Sequence, residues 1–119
     1  MSDDELVEQV LATALTARDP GAALAATAHD PRLPAEAKRW LAAIDADGFR
    51  IAALLVARLR FERLLHGHPA VASWLEHDAE GVTEAFRRYH AAIAPTAFFP
   101  PDEARLFDAW LAASGTTIP

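Results

Sequence analysis

Five histidines are the residues of this sequence best suited to hold a metal ion. His66 and His68 are separated by one residue, and His77 stands between two acidic residues. Their spacing does not correspond to HExxH or to a comparable catalytic metal motif. Because histidine near the C-terminal end of a helix is favoured by the helix dipole, we expect structural or solvated histidines. A small metal-dependent hydrolase built on these three residues is the less favoured alternative.

Other kinds of catalytic chemistry have no better support in the sequence. Glu76, Asp78 and Glu80 are candidates for paired carboxylates, but Asp78 has the position of a helix N-cap. The serines lie in no nucleophile elbow, and no glycine-rich phosphate loop is present. The absence of cysteine excludes disulfides, thiol catalysis and thiolate-bound metals. The sequence therefore predicts a chain that is not itself an enzyme, with no catalytic residue, metal ligand or cofactor.

A group of arginines forms a local basic patch in a protein whose formal net charge is −6. Arg58, Arg60 and Arg63 belong to one predicted helix, and Arg87 and Arg88 belong to a later one. Each arginine alone fits an ordinary solvated helix face with local ion pairs. As a group they are also suited to receive an acidic peptide or an acidic protein surface.

Two adjacent phenylalanines, Phe98 and Phe99, lie in a connection bracketed by prolines. In one interpretation both rings lie under the loop and close the core. In the other, one ring is exposed with Tyr89 and Trp110 nearby, as an aromatic anchor for a partner. The sequence leaves both interpretations open.

The element that dominates the chain is the segment Asp47–Gly67, which has a helix start, good helix formers and a helix stop. Its first half, Ile51–Ala57, is apolar on every side, which is typical of a buried helix. A charged residue in place of Leu55 is therefore expected to unfold the domain.

Further helices are predicted from N-caps, helix-starting prolines and apolar spacing. They cover approximately residues 2–18, 19–29, 34–46, 68–77, 78–93 and 101–114, with Trp40 on an inward face. The connection 94–101 is expected to be extended because of its prolines, and residues 114–119 to form a loose tail. We expect an all-α fold, a single-domain bundle (residues 1–119) of about six or seven helices around a central buried helix.

Composition also limits the partners and the compartment. A net charge of −6 disfavours nucleic acid and anionic membranes as main partners. The first residues are acidic and amphipathic, unlike a signal peptide, and the longest apolar run is too short to cross a bilayer. These features predict a soluble cytoplasmic protein.

The second half of the sequence carries a pattern of aromatic residues and prolines: Arg60 to Leu65, Pro69, Trp74, Phe86, Tyr89, Pro95, Phe98 to Pro100 and Phe107 to Leu111. This pattern resembles the small helical partner proteins of multinuclear non-haem iron oxidative enzymes. Those enzymes modify ribosomally made precursor peptides, as in the 3-thiaglutamate and methanobactin-type pathways. The resemblance implies a non-catalytic subunit that binds the iron enzyme and helps to present the leader segment of the precursor peptide. The iron would belong to the larger partner.

One function is therefore favoured, and a second one is the alternative. The first is an accessory subunit of such an enzyme complex. The residues expected to contact the enzyme or the peptide are Arg60, Arg63, Arg87, Arg88, Tyr89, Phe98, Phe99 and Trp110. The second is a self-contained helical regulatory or scaffold protein that forms a homodimer through the same aromatic surface.

Overall fold

A computed structural model describes all 119 residues. It contains seven α-helices and no strand: α1 Asp3–Leu15, α2 Pro20–Ala26, α3 Ala35–Ala42, α4 Ala46–Gly67, α5 Pro69–His77, α6 Ala79–Ala92 and α7 Pro100–Ser114. A short 3₁₀ helix, Thr27–His29, follows α2. The predicted all-α class and number of helices are confirmed. None of the helices combines the length and the apolar character needed to cross a bilayer.

Local sequence signals account for most helix ends. Ser2, Asp19 and Asp78 each accept a hydrogen bond from the backbone N–H three residues further on, at 3.0 to 3.2 Å. These contacts satisfy N–H groups that have no partner inside the helix. At the end of α7, Gly115 has a φ of 70°, the left-handed conformation that glycine adopts without strain.

The helix α3 ends earlier than predicted, at Ala42 instead of near Ala46. Asp45 accepts a hydrogen bond from the backbone N–H of Gly48 at 2.9 Å, which is the role of an N-cap. Asp45, which lies inside the predicted helix 34–46, therefore starts the next helix instead.

The chain divides into two compact units, Met1–Val56 and Ala57–Pro119, with the boundary inside α4. The buried core of the first unit is aliphatic: Val10, Leu24, Leu33 and Leu41. The core of the second unit is larger and partly aromatic: Leu64, Val71, Trp74, Val82, Ala85, Phe86, Tyr89, Phe107, Trp110 and Leu111. Ile118 also packs against this second core, although the last residues were expected to be loose.

The first half of α4 is not the buried centre that its composition suggested. Ile51, Leu54 and Leu55 are 60%, 71% and 55% exposed, whereas Ala53 is buried. The prediction that this stretch is buried on every side is therefore wrong. An apolar residue is buried only where another element packs on it, and here only one side of the helix is covered.

Candidate docking surface

Arg60 lies in the second half of α4 and is fully buried in the second unit. Its Nε donates a hydrogen bond to Oε2 of Glu103 at 3.1 Å, and neither side chain is exposed. Arg63 donates to Oε1 of the same carboxylate at 3.3 Å, and the Tyr89 hydroxyl donates to Oε2. The guanidinium carbon of Arg60 lies 4.3 Å from the centre of the Tyr89 ring. Both charges of this buried ion pair thus have the hydrogen bonds that burial requires.

His90 completes this buried polar cluster. Its Nδ1 lies 3.2 Å from Nη1 of Arg60. Because an arginine only donates hydrogen bonds, Nδ1 must be the acceptor, and the ring proton is then on Nε2. That nitrogen is buried without a hydrogen-bond partner. Burial, together with the nearby Arg60 charge, lowers the pKa of His90 to about 4, so that the ring is neutral near pH 7.

The buried polar cluster stabilises the fold and is not positioned for acid–base chemistry. Burial and the hydrogen bond to Glu103 raise the pKa of the Tyr89 hydroxyl above its ordinary value. The carboxylate of Glu103 is fully buried as well. A substrate has no access to either group while the fold is intact, and therefore we assign the cluster a structural role.

The cluster fixes the connection that follows α6. Nη1 of Arg60 donates to the carbonyl oxygen of Ile93 at 2.6 Å, and Nη2 donates to that of Ala94 at 3.4 Å. At the other end of the connection, Gly67 closes tightly onto Pro100. A Cβ added to Gly67 would lie 2.1 Å from the Pro100 carbonyl oxygen, so that a larger residue does not fit. The connection 94–99 is thus held by the hydrogen bonds of Arg60 at its start, and the residue that follows it packs closely against Gly67; we call it the tethered connection.

Phe98 and Phe99 are presented to solvent by this tethered connection, at 86% and 67% exposure. With Leu106 they line a groove of about 450 Å³, which also contains Asp102 and Arg105. We call it the Phe98–Phe99 groove. The interpretation in which both rings close the core is wrong, and two rings are exposed where the alternative required one. Adjacent exposed aromatic side chains are typical of protein interfaces.

Three of the residues predicted to contact a partner are not available at the surface. Arg60 and Tyr89 are fully buried, and Trp110 is 9% exposed. For these three side chains the predicted surface role is wrong, because all of them are part of the interior of the second unit. Arg63 is partly exposed, but its Nε is held by Glu103.

Glu103 and His90 are structurally important residues that the sequence analysis did not single out. The sequence contains one indication that Arg60 is buried next to a carboxylate. Arg60 precedes Leu64 by four residues and therefore shares its helix face. An arginine on a buried face requires a carboxylate partner, although the spacing alone does not say which one.

The arginines of the predicted basic patch lie beside different neighbouring side chains. Arg58 pairs with Glu62 at 3.3 Å, and the guanidinium carbon of Arg88 lies 5.5 Å from the centre of the Trp110 ring. Arg87 is exposed and lines a groove together with two glutamates of its own helix. Arg87 and Arg88 thus remain at the surface, as predicted, but they do not form a purely basic face.

Two of the three histidines considered as metal ligands, His68 and His77, have other hydrogen-bond partners. Nδ1 of His68 accepts from the Val71 N–H at 3.4 Å, and its Nε2 lies 2.7 Å from the carboxylate of Asp108. Nδ1 of His77 donates to the carbonyl oxygen of Ser73 at 2.7 Å. The structure contains no group of three or more histidine, aspartate and glutamate side chains arranged to hold a metal ion.

Comparisons of this chain with protein-family models, with curated proteins and with solved structures found no match. Its function is therefore proposed from the contacts and exposures described above, together with the sequence pattern of the second half.

Proposed function

We propose that this chain is a non-catalytic binding subunit that docks a partner protein through the Phe98–Phe99 groove. One observation carries the proposal: two adjacent phenylalanine rings are exposed on a connection that is hydrogen-bonded to Arg60 at its start and packed closely against Gly67 at its end. A pre-organised backbone reduces the entropy lost on binding, and aromatic side chains dominate the energy of many interfaces. The buried Arg60, which is paired with Glu103, stabilises the start of this connection through its hydrogen bonds to the backbone.

The finer proposal concerns the partner. The pattern of aromatics and prolines, which includes Phe98 to Pro100, resembles the helical partner proteins of multinuclear non-haem iron oxidative enzymes. We propose that such an enzyme binds the Phe98–Phe99 groove in the cytoplasm and supplies the iron. The ribosomally made precursor peptide would be the second ligand, with Arg87 and Arg88 contacting its acidic residues.

Binding can be tested by titrating the purified chain with an iron oxidase encoded by a neighbouring gene and with the precursor peptide. The double variant Phe98→Ala/Phe99→Ala is expected to bind the enzyme at least about tenfold more weakly, because interface aromatics of this kind each contribute more than about 1 kcal/mol. The control is Leu59→Ala, which removes an exposed apolar side chain outside this groove.

Two results would count against these proposals. Unchanged enzyme binding by the phenylalanine variant would remove the groove as the contact surface. If the wild-type chain binds neither the enzyme nor the peptide at micromolar concentration, the function as an accessory subunit is wrong.

A second function, a homodimeric scaffold, is favoured by the exposed face of α4. Ile51, Leu54 and Leu55 form an apolar stripe that is mostly exposed. In an antiparallel pair of α4 helices centred between Ile51 and Leu54, Asp47 of one copy lies beside Arg58 of the other. Both side chains are exposed, at 88% and 77%, and their charges are complementary.

Sedimentation equilibrium distinguishes the two functions. A homodimer through α4 predicts that Leu54→Asp converts a dimer into a monomer, while Phe98→Ala/Phe99→Ala leaves the dimer intact. A wild-type chain that remains monomeric at high micromolar concentration would exclude the scaffold function.

A further inference from the structure

Trp40 is an exposed indole in the first unit, at a position where the sequence predicts burial. The predicted helix 34–46 places Trp40 inward together with Leu41 and Ile44, yet Trp40 is 56% exposed and Leu41 only 1%. The other two tryptophans of the chain, Trp74 and Trp110, are buried. A large aromatic side chain left in solvent is a common mark of a binding surface.

The Trp40 ring lines a groove of about 550 Å³ formed by residues of α1 and α3 and by the residue that precedes α3. The apolar part of the groove consists of Val7, Pro34, Ala37 and Trp40. Its charged part consists of carboxylates alone: Asp3, Asp4, Glu8 and Glu36. None of these carboxylates forms an ion pair with a basic side chain. The groove thus combines an apolar lining with uncompensated negative charge.

Helix dipoles explain only part of this arrangement. Asp3, Asp4 and Glu36 lie in the first turns of α1 and α3, where negative side chains are favourable. Glu8 lies beyond the first turn of α1. A helix dipole gives no reason for an exposed indole in the same groove. The combination of an aromatic face and unpaired carboxylates is complementary to a cation that carries an apolar stem.

We propose that this Trp40 groove docks a basic segment of another protein, with an arginine or lysine side chain lying on the indole ring. The cationic head would be attracted by the ring face and by the carboxylates of Glu8 and Glu36. The methylene stem would cover Val7 and Ala37. This proposal is independent of the Phe98–Phe99 groove and of the function proposed for it.

The probe for this site is an amidated synthetic peptide that alternates arginine and leucine, titrated calorimetrically and by tryptophan fluorescence. Trp40→Ala and the double variant Glu8→Gln/Glu36→Gln are each expected to weaken binding at least about threefold. Added salt is expected to weaken the binding of the wild type as well. The matched control is Glu5→Gln/Glu76→Gln, which removes the same charge from exposed positions outside the groove and should leave binding unchanged.

The altered groove side chains are exposed, and therefore these variants are expected to fold; circular dichroism checks this. Wild-type affinity for the arginine peptide in both groove variants would overturn the proposal. So would equal binding of a peptide with glutamate at every arginine position, or no binding of the arginine peptide at millimolar concentration.

Discussion

In the first half of α4, Leu54 is 71% exposed, whereas in the second half Arg60 is not exposed at all. Both positions belong to the same continuous helix, and both residue types are good helix formers. The difference in burial depends on which groups surround each side chain. Every partner of Arg60 comes from another part of the second unit, and its ion-pair partner Glu103 is 43 residues away in sequence. Polarity therefore predicts burial on this helix less well than the availability of partners does.

The largest effect is expected from Arg60→Ala, which leaves the Glu103 carboxylate buried without its main partner. Loss of one member of a buried ion pair destabilises a protein by about 3 to 5 kcal/mol. Urea denaturation followed by circular dichroism measures this loss. The double variant Arg60→Met/Glu103→Leu is the comparison, because it also removes the unpaired carboxylate. It should recover the part of the loss that this buried charge causes, but not the hydrogen bonds that Arg60 gives to Ile93 and Ala94. A loss below about 1 kcal/mol in Arg60→Ala would show that the pair contributes little.

A matched pair of leucine truncations tests the same contrast without charges. Leu64 is fully buried and Leu59 is 59% exposed, and both lie in the second half of α4. We expect Leu64→Ala to lower the free energy of unfolding by about 2 to 5 kcal/mol and Leu59→Ala by about 0.5 kcal/mol or less. Equal losses in the two variants would mean that the exposed and buried faces of α4 are wrongly assigned.

The third prediction concerns pH, since His90 shares the buried surroundings of Arg60. Its pKa is lowered to about 4 in the folded protein, against about 6.5 in the unfolded chain. Between these values the unfolded state binds a proton that the native state does not. Stability should therefore rise as pH increases from about 4 to 6.5, by at most about 3 kcal/mol from this group.

Urea denaturation across this pH range measures the slope. His90→Gln, which does not titrate, should flatten it, while the exposed His66→Gln should leave it unchanged. The same slope in His90→Gln and in the wild type would exclude His90 as its source.

The helices were predictable because their signals are local. Ser2, Asp19 and Asp78 cap helices within three residues of themselves, and prolines and Gly115 mark other ends. Burial was less predictable because it depends on contacts that are distant in sequence. The all-apolar stretch after Asp47 therefore suggested a buried helix, although one of its faces has no partner.

The two candidate surfaces, the Phe98–Phe99 groove and the Trp40 groove, also differ in how far the sequence predicts them. Phe98 and Phe99 stand out in the sequence because two adjacent phenylalanines between prolines are unusual. Their exposure excludes the interpretation in which both rings close the core. The groove around Trp40 was missed because the helical spacing of α3 placed the indole inward. Its four carboxylates come from α1 and α3. The sequence of either helix alone does not predict that these two helices line the same groove.

Apart from the Leu59→Ala comparison, the smallest effect is expected at Leu55, where the sequence predicts burial and the structure shows exposure. A buried helix would be unfolded by Leu55→Asp, whereas a side chain that is 55% exposed should tolerate the change. The lower helix propensity of aspartate then accounts for a loss of about 0.5 to 1 kcal/mol. Circular dichroism and urea denaturation distinguish these outcomes, with Leu64→Asp as the variant that should unfold the second unit. If Leu55→Asp unfolds a chain that is monomeric in its wild-type form, the first half of α4 is buried after all, and the contrast with Arg60 is lost.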